Sequence, residues 1–152
     1  MICIRKLFLK CYKIFINLNL ICYENELNLV PNLYNMDIEQ FRNFCLTKKC
    51  VTEEFPFGPE TLVFKVGGKV FALTGLERPD FAVNLKCDPD YAEELRADHD
   101  EIQPGYHMNK KHWNTVSFTG SLSEKLLIEL INHSYDLVVK SLPKVKREEI
   151  LN

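Results

Sequence analysis

Two alternating apolar runs meet at Gly67-Gly68, and no other local pattern in the chain restricts its fold as tightly. A pair of glycines between such runs is the turn a two-residue β-hairpin needs. Residues 61–66 and 69–74 are therefore expected to pair antiparallel, with Val66 opposite Lys69, Phe64 opposite Phe71 and Leu62 opposite Leu73. Cross-strand partners share a face. Leu62, Phe64, Phe71 and Leu73 then form the core side, and Thr61, Val63, Lys65, Val70, Ala72 and Thr74 the half-exposed side.

The rest of the chain supplies what must cover that core side. Asp37 with Gln40 resembles a capping box, and Ile38, Phe41, Phe44 and Cys45 recur at helical spacing, so a helix is expected over about 37–48. Residues 53–59 are too rich in Pro and Gly for regular structure. Residues 81–86 alternate, with Phe81, Val83 and Leu85 inward and Ala82, Asn84 and Lys86 outward. Asp88-Pro89 is an N-cap followed by proline at the first helical position, opening a short helix to about Ala97. A loop through Pro104-Gly105 leads to a strand at 113–118. Ser121 with Glu124 reads as a second capping box, opening the longest helix at about 122–141. Its buried stripe is Leu127, Leu130, Ile131, Tyr135, Val138 and Leu142. Pro143 ends it, and 144–151 is a short tail. Strands clustered between helices, without βαβ alternation, predict an α+β two-layer sandwich: an antiparallel sheet with helices on one face.

Composition separates the first 35 residues from this pattern. They contain no Gly, Ala, Asp, Ser or Thr and carry four basic against two acidic side chains, whereas the remaining 117 carry fifteen basic and nineteen acidic. Lys10, Lys13 and Asn17 interrupt what a signal peptide or a membrane span would need as an apolar core, and no small-residue cleavage site follows. Ile, Lys, Asn, Phe, Leu and Tyr are what AT-rich DNA yields when translated without selection. Residues 1–35 are read as an over-extended gene start and not part of the fold, with Met36 as the start of a domain over 36–150. Three cysteines in each part, an odd number, suit a reducing cytoplasm rather than a disulfide framework.

The usual signatures of chemistry fit poorly. Cys45-x4-Cys50 and His107-x4-His112 each resemble half a zinc site, but the halves are far apart and Cys45 is on an apolar helix face. Cys87 lacks a glycine elbow or a helix N-terminus directed at its thiol. Asp98-His99-Asp100-Glu101 lacks calcium-loop spacing. Gly67-Gly68 has no Lys-Ser/Thr after it and is no phosphate cradle. The stretch 104–113, by contrast, groups Lys110, Lys111, His107, His112, Asn109, Tyr106 and Trp113, which combines phosphate affinity with aromatic faces.

Glu54-Phe55-Pro56-Phe57-Gly58, the hairpin Val63-Phe64-Lys65-Val66-Gly67-Gly68-Lys69-Val70-Phe71-Ala72-Leu73, Leu85-Lys86-Cys87-Asp88-Pro89 and the run from Pro104 to Trp113 together resemble the MmcQ/YjbR family. Ser134-Tyr135-Asp136-Leu137-Val138-Val139 and Leu142-Pro143 resemble its C-terminal helix. The resemblance spans about 36–150 and leaves 1–35 without a counterpart. It implies a CyaY-like domain of "double wing" type, conventionally described as DNA-binding, with no metal centre, no cofactor and no known reaction.

The sequence thus leads to a non-enzymatic, cytoplasmic binding domain, monomeric, with no membrane association and with DNA as its expected partner. Lys65, Lys69 and Lys86 from the sheet, with Lys110, Lys111 and His112 from the wing-like loop, are the expected phosphate contacts. Asn109 is the candidate for base or sugar hydrogen bonds, and Trp113 and Tyr106 are expected to anchor the loop. The alternative is a protein- or small-ligand-binding module using the same sheet face and a pocket beside Phe57, Tyr106, His107 and Trp113. An enzyme using His107 and His112 as acid and base is a third reading. The body's net charge of −4 opposes general attraction to DNA.

Overall fold

The computed structural model describes residues 36–151, and the expectation about residues 1–35 lies outside the described residues. Helix α1 (Ile38–Leu46) starts at the capping box foreseen: Asp37 accepts from the Gln40 amide at 2.8 Å, and Gln40 Oε1 accepts from the Asp37 amide at 2.9 Å. Strands β1 (Val51–Glu54), β2 (Thr61–Val66), β3 (Lys69–Gly75) and β4 (Ala82–Lys86) follow. Helix α2 (Pro89–Asp98) is capped by Asp88, then come β5 (Ile102–Pro104), β6 (Trp113–Ser117), α3 (Glu124–Lys140) and α4 (Lys144–Leu151). The six strands form one antiparallel sheet in the order β1-β2-β3-β4-β6-β5.

All four helices contribute to one buried cluster on one face of this sheet: Phe41 and Cys45 from α1, Ala92 and Leu95 from α2, Leu127, Ile131 and Val138 from α3, and Ile150 from α4. Phe41 is its centre, with ring centroids 5.4 Å from Phe64, 5.7 Å from Phe81 and 5.5 Å from Phe118. Edge-on aromatic contacts of this kind add about 0.5–1.5 kcal/mol each beyond the area they bury. The two-layer α+β architecture is therefore as the sequence pattern predicts.

Four local expectations are corrected. The hairpin turn at Gly67 and Gly68 is present, with φ of 58° and 83°, but its register slips after two pairs. Lys65 pairs with Val70, then Phe64 with Ala72, Val63 with Leu73 and Leu62 with Thr74. Phe71 is the extra residue of a β-bulge. The bulge turns Phe71 and Ala72, both fully buried, toward the helices in succession, puts Thr74 in the core and moves Leu73 to the opposite face. Residues 51–54 form a strand, because the Pro/Gly content begins only at Pro56. Helix α3 is capped by Ser123, while Ser121 donates from its amide and its hydroxyl to Glu101. The tail folds as α4, which buries only Ile150.

The sheet edges are modest. β5 is three residues long and ends on Pro104, which has no N–H to offer a neighbouring strand. Among the described residues no helix is long and apolar enough to cross a membrane.

Candidate functional site

Among the described residues no helix packs on the other face of the sheet, and cross-strand pairing identifies its occupants. Lys65, Val63, Val70 and Leu73 lie on β2 and β3, and Ala82, Asn84 and Lys86 on β4. Thr115 and Trp113 lie opposite Asn84 and Lys86 on β6, with Gln103 beyond on β5. Both hairpin tips, Gly67-Gly68 and the loop between β5 and β6, leave the sheet at the end where β4 finishes at Lys86.

The expected phosphate contacts divide between two faces. Lys65 is one-fifth exposed and bound to Glu54, and that partner holds the Glu54 carboxyl below the usual carboxylate range. Its charge is spent within the sheet. Lys69 pairs with core-facing Val66 and points to the helix side, where Nζ donates to the Ser141 carbonyl at 2.9 Å. There it serves the carbonyl end of α3, where a cation is favourable. Of the three sheet lysines, Lys86 lies on the side away from the helices and has no ion pair among the described residues, its Nζ 5.9 Å from the Trp113 ring centroid.

The β5–β6 loop is held in one shape. Asn109 Oδ1 accepts from the Lys111 amide at 3.0 Å, so the oxygen of this exposed side chain is used in a turn. The His112 carbonyl accepts from the Cys87 amide at 2.9 Å, tying the loop to the end of β4. Arg96 on α2, a residue that sequence reasoning passed over, is the chief organiser. Its Nε donates to Asn114 Oδ1 at 2.7 Å, and its Nη2 donates to the carbonyls of Lys110 and Trp113. Five donors in a planar fork suit a turn that presents several carbonyls at once. Lys110 and Lys111 stand exposed on the result.

Trp113 anchors the loop as expected, at 9% exposure. Gly105 makes room for it: a Cβ there would sit 2.8 Å from Trp113 Cβ and 2.9 Å from the Trp113 carbonyl oxygen. Tyr106 does not anchor. It is 63% exposed and stacks on His107 with ring centroids 4.0 Å apart, His107 having a left-handed φ of 56°. Phe57, 68% exposed, lies in the β1–β2 loop at the opposite end of the sheet, so the four-aromatic pocket is not assembled.

A shallow groove of about 580 Å³ lies instead beside Tyr106, floored by Ala82, Thr115 and Ser117 and rimmed by Arg78, Asp80, Asp100 and Glu101. Arg78 pairs with Asp80 at 3.3 Å, and hydrogen bonds from Ser121 hold the Glu101 carboxyl below its usual range. The groove is therefore acidic, and it runs along β6 from Thr115, beside Tyr106, to Ser117. Among the described residues no three His, Cys, Asp or Glu side chains converge as metal ligands would. Burial pushes the Cys45 thiol up to about 12 and the Cys87 thiol up to about 11, which leaves neither a thiolate near neutral pH.

Comparison with known proteins agrees with this architecture. The chain is 46% identical over 96 residues to the uncharacterized protein YbdF of Escherichia coli O157:H7, covering 63% of this chain and 79% of that protein. It is 33% identical over 113 residues to the uncharacterized protein YjbR of Escherichia coli K12, covering 74% and 96%. A crystal structure of a Deinococcus radiodurans protein of domain family DUF419 superposes with a TM-score of 0.73 at 42% identity, covering 78% of this chain and 91% of that one. A Pseudomonas syringae protein of solved structure superposes with a TM-score of 0.59 at 30% identity, covering 67% and 98%. The YjbR family model matches residues 46–137, from the end of α1 into α3, and the chain belongs to the YjbR family.

Proposed function

We propose that this chain is a non-enzymatic binding domain that contacts nucleic acid through the sheet corner formed by Lys86, Lys110 and Lys111. The observation that carries the reading is the fixed loop. Arg96 and the Asn109 turn hold two consecutive exposed lysines in the loop tied to the strand end that carries Lys86, which has no ion-pair partner among the described residues. Both hairpin tips leave the sheet at this end, which supports a double-wing reading. Buried, protonated thiols and a surface-stacked His107 support binding over catalysis. The three free cysteines among the described residues fit a reducing, cytoplasmic setting.

Three lysines define a weak, sequence-tolerant contact, because phosphate attraction carries no base information. In a fluorescence-anisotropy titration of a labelled oligonucleotide at low salt, Lys110→Glu with Lys111→Glu weakens binding to every sequence tried. Unchanged binding removes the loop from the interface. The acidic groove favours a second reading, a module for a small ligand or protein segment. That reading stands if the intact chain binds no oligonucleotide at low salt.

A further inference from the structure

Tyr106 belongs to two features of opposite charge. Four residues further along its loop come Lys110 and Lys111, both exposed, and among the described residues neither forms an ion pair. The same tyrosine lines the groove over Ala82, Thr115 and Ser117, whose rim sets Asp80, Asp100 and Glu101 against the single guanidinium of Arg78. Three carboxylates and one cation leave the groove two charges negative, the complement of two lysines. The loop is also fixed in advance. Arg96 holds the Lys110 carbonyl, and Asn109 Oδ1 accepts from the Lys111 amide. The Tyr106 amide donates to Thr115 Oγ1 at 2.9 Å, and the tyrosine ring packs on His107. A partner that meets this surface therefore has little backbone left to order, which lowers the cost of association.

The groove needs a partner that offers two cations on a firm turn, and the chain itself displays such a turn. We propose that the occupant of the groove is the Lys110-Lys111 loop of a second copy of this chain, in a reciprocal pair with Tyr106 at its centre. A surface on which opposite charges adjoin one aromatic ring is self-complementary about a two-fold axis. The loop of each copy meets the groove of the other, and every contact is made twice. An open row of copies would leave a loop and a groove unmatched at its ends. Tyr106, 63% exposed, is the residue type that anchors such interfaces. The pair is weak and salt-sensitive, because exposed ion pairs contribute little each and are screened beyond about 10 Å at 0.1 M salt. It stands whether or not the loop also contacts nucleic acid, and it makes the two contacts exclusive, since both need Lys110 and Lys111.

The test is sedimentation velocity of the full chain over a concentration series, at low salt and in about 0.5 M sodium chloride. The expected result is a rise from the mass of one chain toward that of two at low salt, reversed by high salt. Lys110→Glu with Lys111→Glu sets an acidic loop against an acidic groove. Asp80→Lys with Asp100→Lys sets a basic loop against a basic groove. Each protein alone, checked for a folded circular-dichroism spectrum, associates at least about tenfold more weakly, as facing like charges require. Mixed in equal amounts they restore the dimer, because each loop then faces a groove of opposite sign. Tyr106→Ala weakens association about tenfold and leaves stability unchanged. Should Asp80→Lys with Asp100→Lys fail to fold, the salt reversal and the other two variants decide. The proposal is overturned if the chain stays monomeric at low salt, grows past two copies, or forms a dimer that the charge reversals leave intact. A labelled tetralysine peptide that binds while the chain stays monomeric assigns the groove to a basic segment of another protein, and overturns it equally. An oligonucleotide arm separates this pair from the nucleic-acid reading. Return of the dimer to single chains on adding oligonucleotide supports both. A dimer without oligonucleotide binding keeps the pair and ends the nucleic-acid reading, and oligonucleotide binding by a chain that never dimerises does the reverse.

Discussion

The Ser134 hydroxyl donates to the Phe71 carbonyl and accepts from the Lys86 amide at 2.8 Å, so a helix side chain completes a sheet. The β3–β4 ladder runs from Thr74 and Val83 to Ala72 and Leu85 and goes no further. The bulge at Phe71 leaves the next carbonyl and amide without each other, and fully buried Ser134 fills that gap. Ser134→Ala strands both backbone groups in a dry site. The expected loss is about 2–4 kcal/mol in urea unfolding, one to a few kcal/mol per buried unpaired group. Amide exchange at Lys86 should speed up with it, whereas a variant that kept wild-type stability would mean that water replaces the hydroxyl.

Arg96 links α2 to the lysine loop and the start of β6 through three hydrogen bonds, and among the described residues no other α2 side chain is bonded to either. Arg96→Lys keeps the charge but cannot reproduce a fork that reaches Asn114, Lys110 and Trp113 together. It should destabilise the domain by about 1–3 kcal/mol. Trp113 emission should move to longer wavelength as its cover loosens. Wild-type emission in Arg96→Lys would show that Gly105 and β6 hold the indole without help.

His133 gives the domain a pH dependence. Its Nε2 accepts from the Asp88 amide at 3.2 Å, which requires a lone pair and so the neutral ring. Tyr91 packs edge-on against it with centroids 5.2 Å apart. Burial lowers its pKa below the ordinary 6.5, and Lys140 adds to this while Asp88 and Asp136 oppose it. A depressed folded-state pKa means that the unfolded chain binds the proton more readily, so this contribution is complete above about pH 6.5 and is lost as pH falls through the folded value. The urea midpoint should decline as pH drops below 6.5, and His133→Gln should flatten that decline. Glu54 and Glu101, also depressed, titrate lower and do not enter this window. Equal slopes for the two proteins would exclude His133 as the source.

How far the sequence carries depends on whether a feature is set by neighbours along the chain. The capping box at Asp37, the glycine turn, the β4 alternation and the α3 stripe are local patterns, and each is present. The hairpin register is not local: it depends on Ser134, sixty-three residues beyond Phe71, which makes a bulge tolerable. Strand β5 is too short to show a period. The candidate site divides in the same way. Residue type marked Lys65 and Lys69 as free cations, but Glu54 and Ser141 occupy them only after folding. Arg96 gave no signal, because its three acceptors come from a loop and the start of β6, fourteen to eighteen residues away.

The division of lysines between faces makes the salt dependence of oligonucleotide binding diagnostic. Each neutralised phosphate of a duplex contributes about −0.9 to the slope of log K against log salt. Five lysines acting together, as residue type alone suggests, give a slope of about −4.5, whereas Lys86, Lys110 and Lys111 alone give about −2.7. Lys69→Gln should leave both slope and affinity unchanged, since its ammonium is committed to the carbonyl end of α3. It should instead cost the few tenths of a kcal/mol up to about 1 that a cation contributes at a helix C-terminus. Lys110→Gln should reduce the magnitude of the slope by about 0.9 with little change in stability, because the exposed side chain is bonded to no other described residue. A Lys69→Gln protein that loses as much slope as Lys110→Gln would place nucleic acid across the hairpin tip and both faces of the sheet. The corner formed by Lys86, Lys110 and Lys111 would then be only part of the contact.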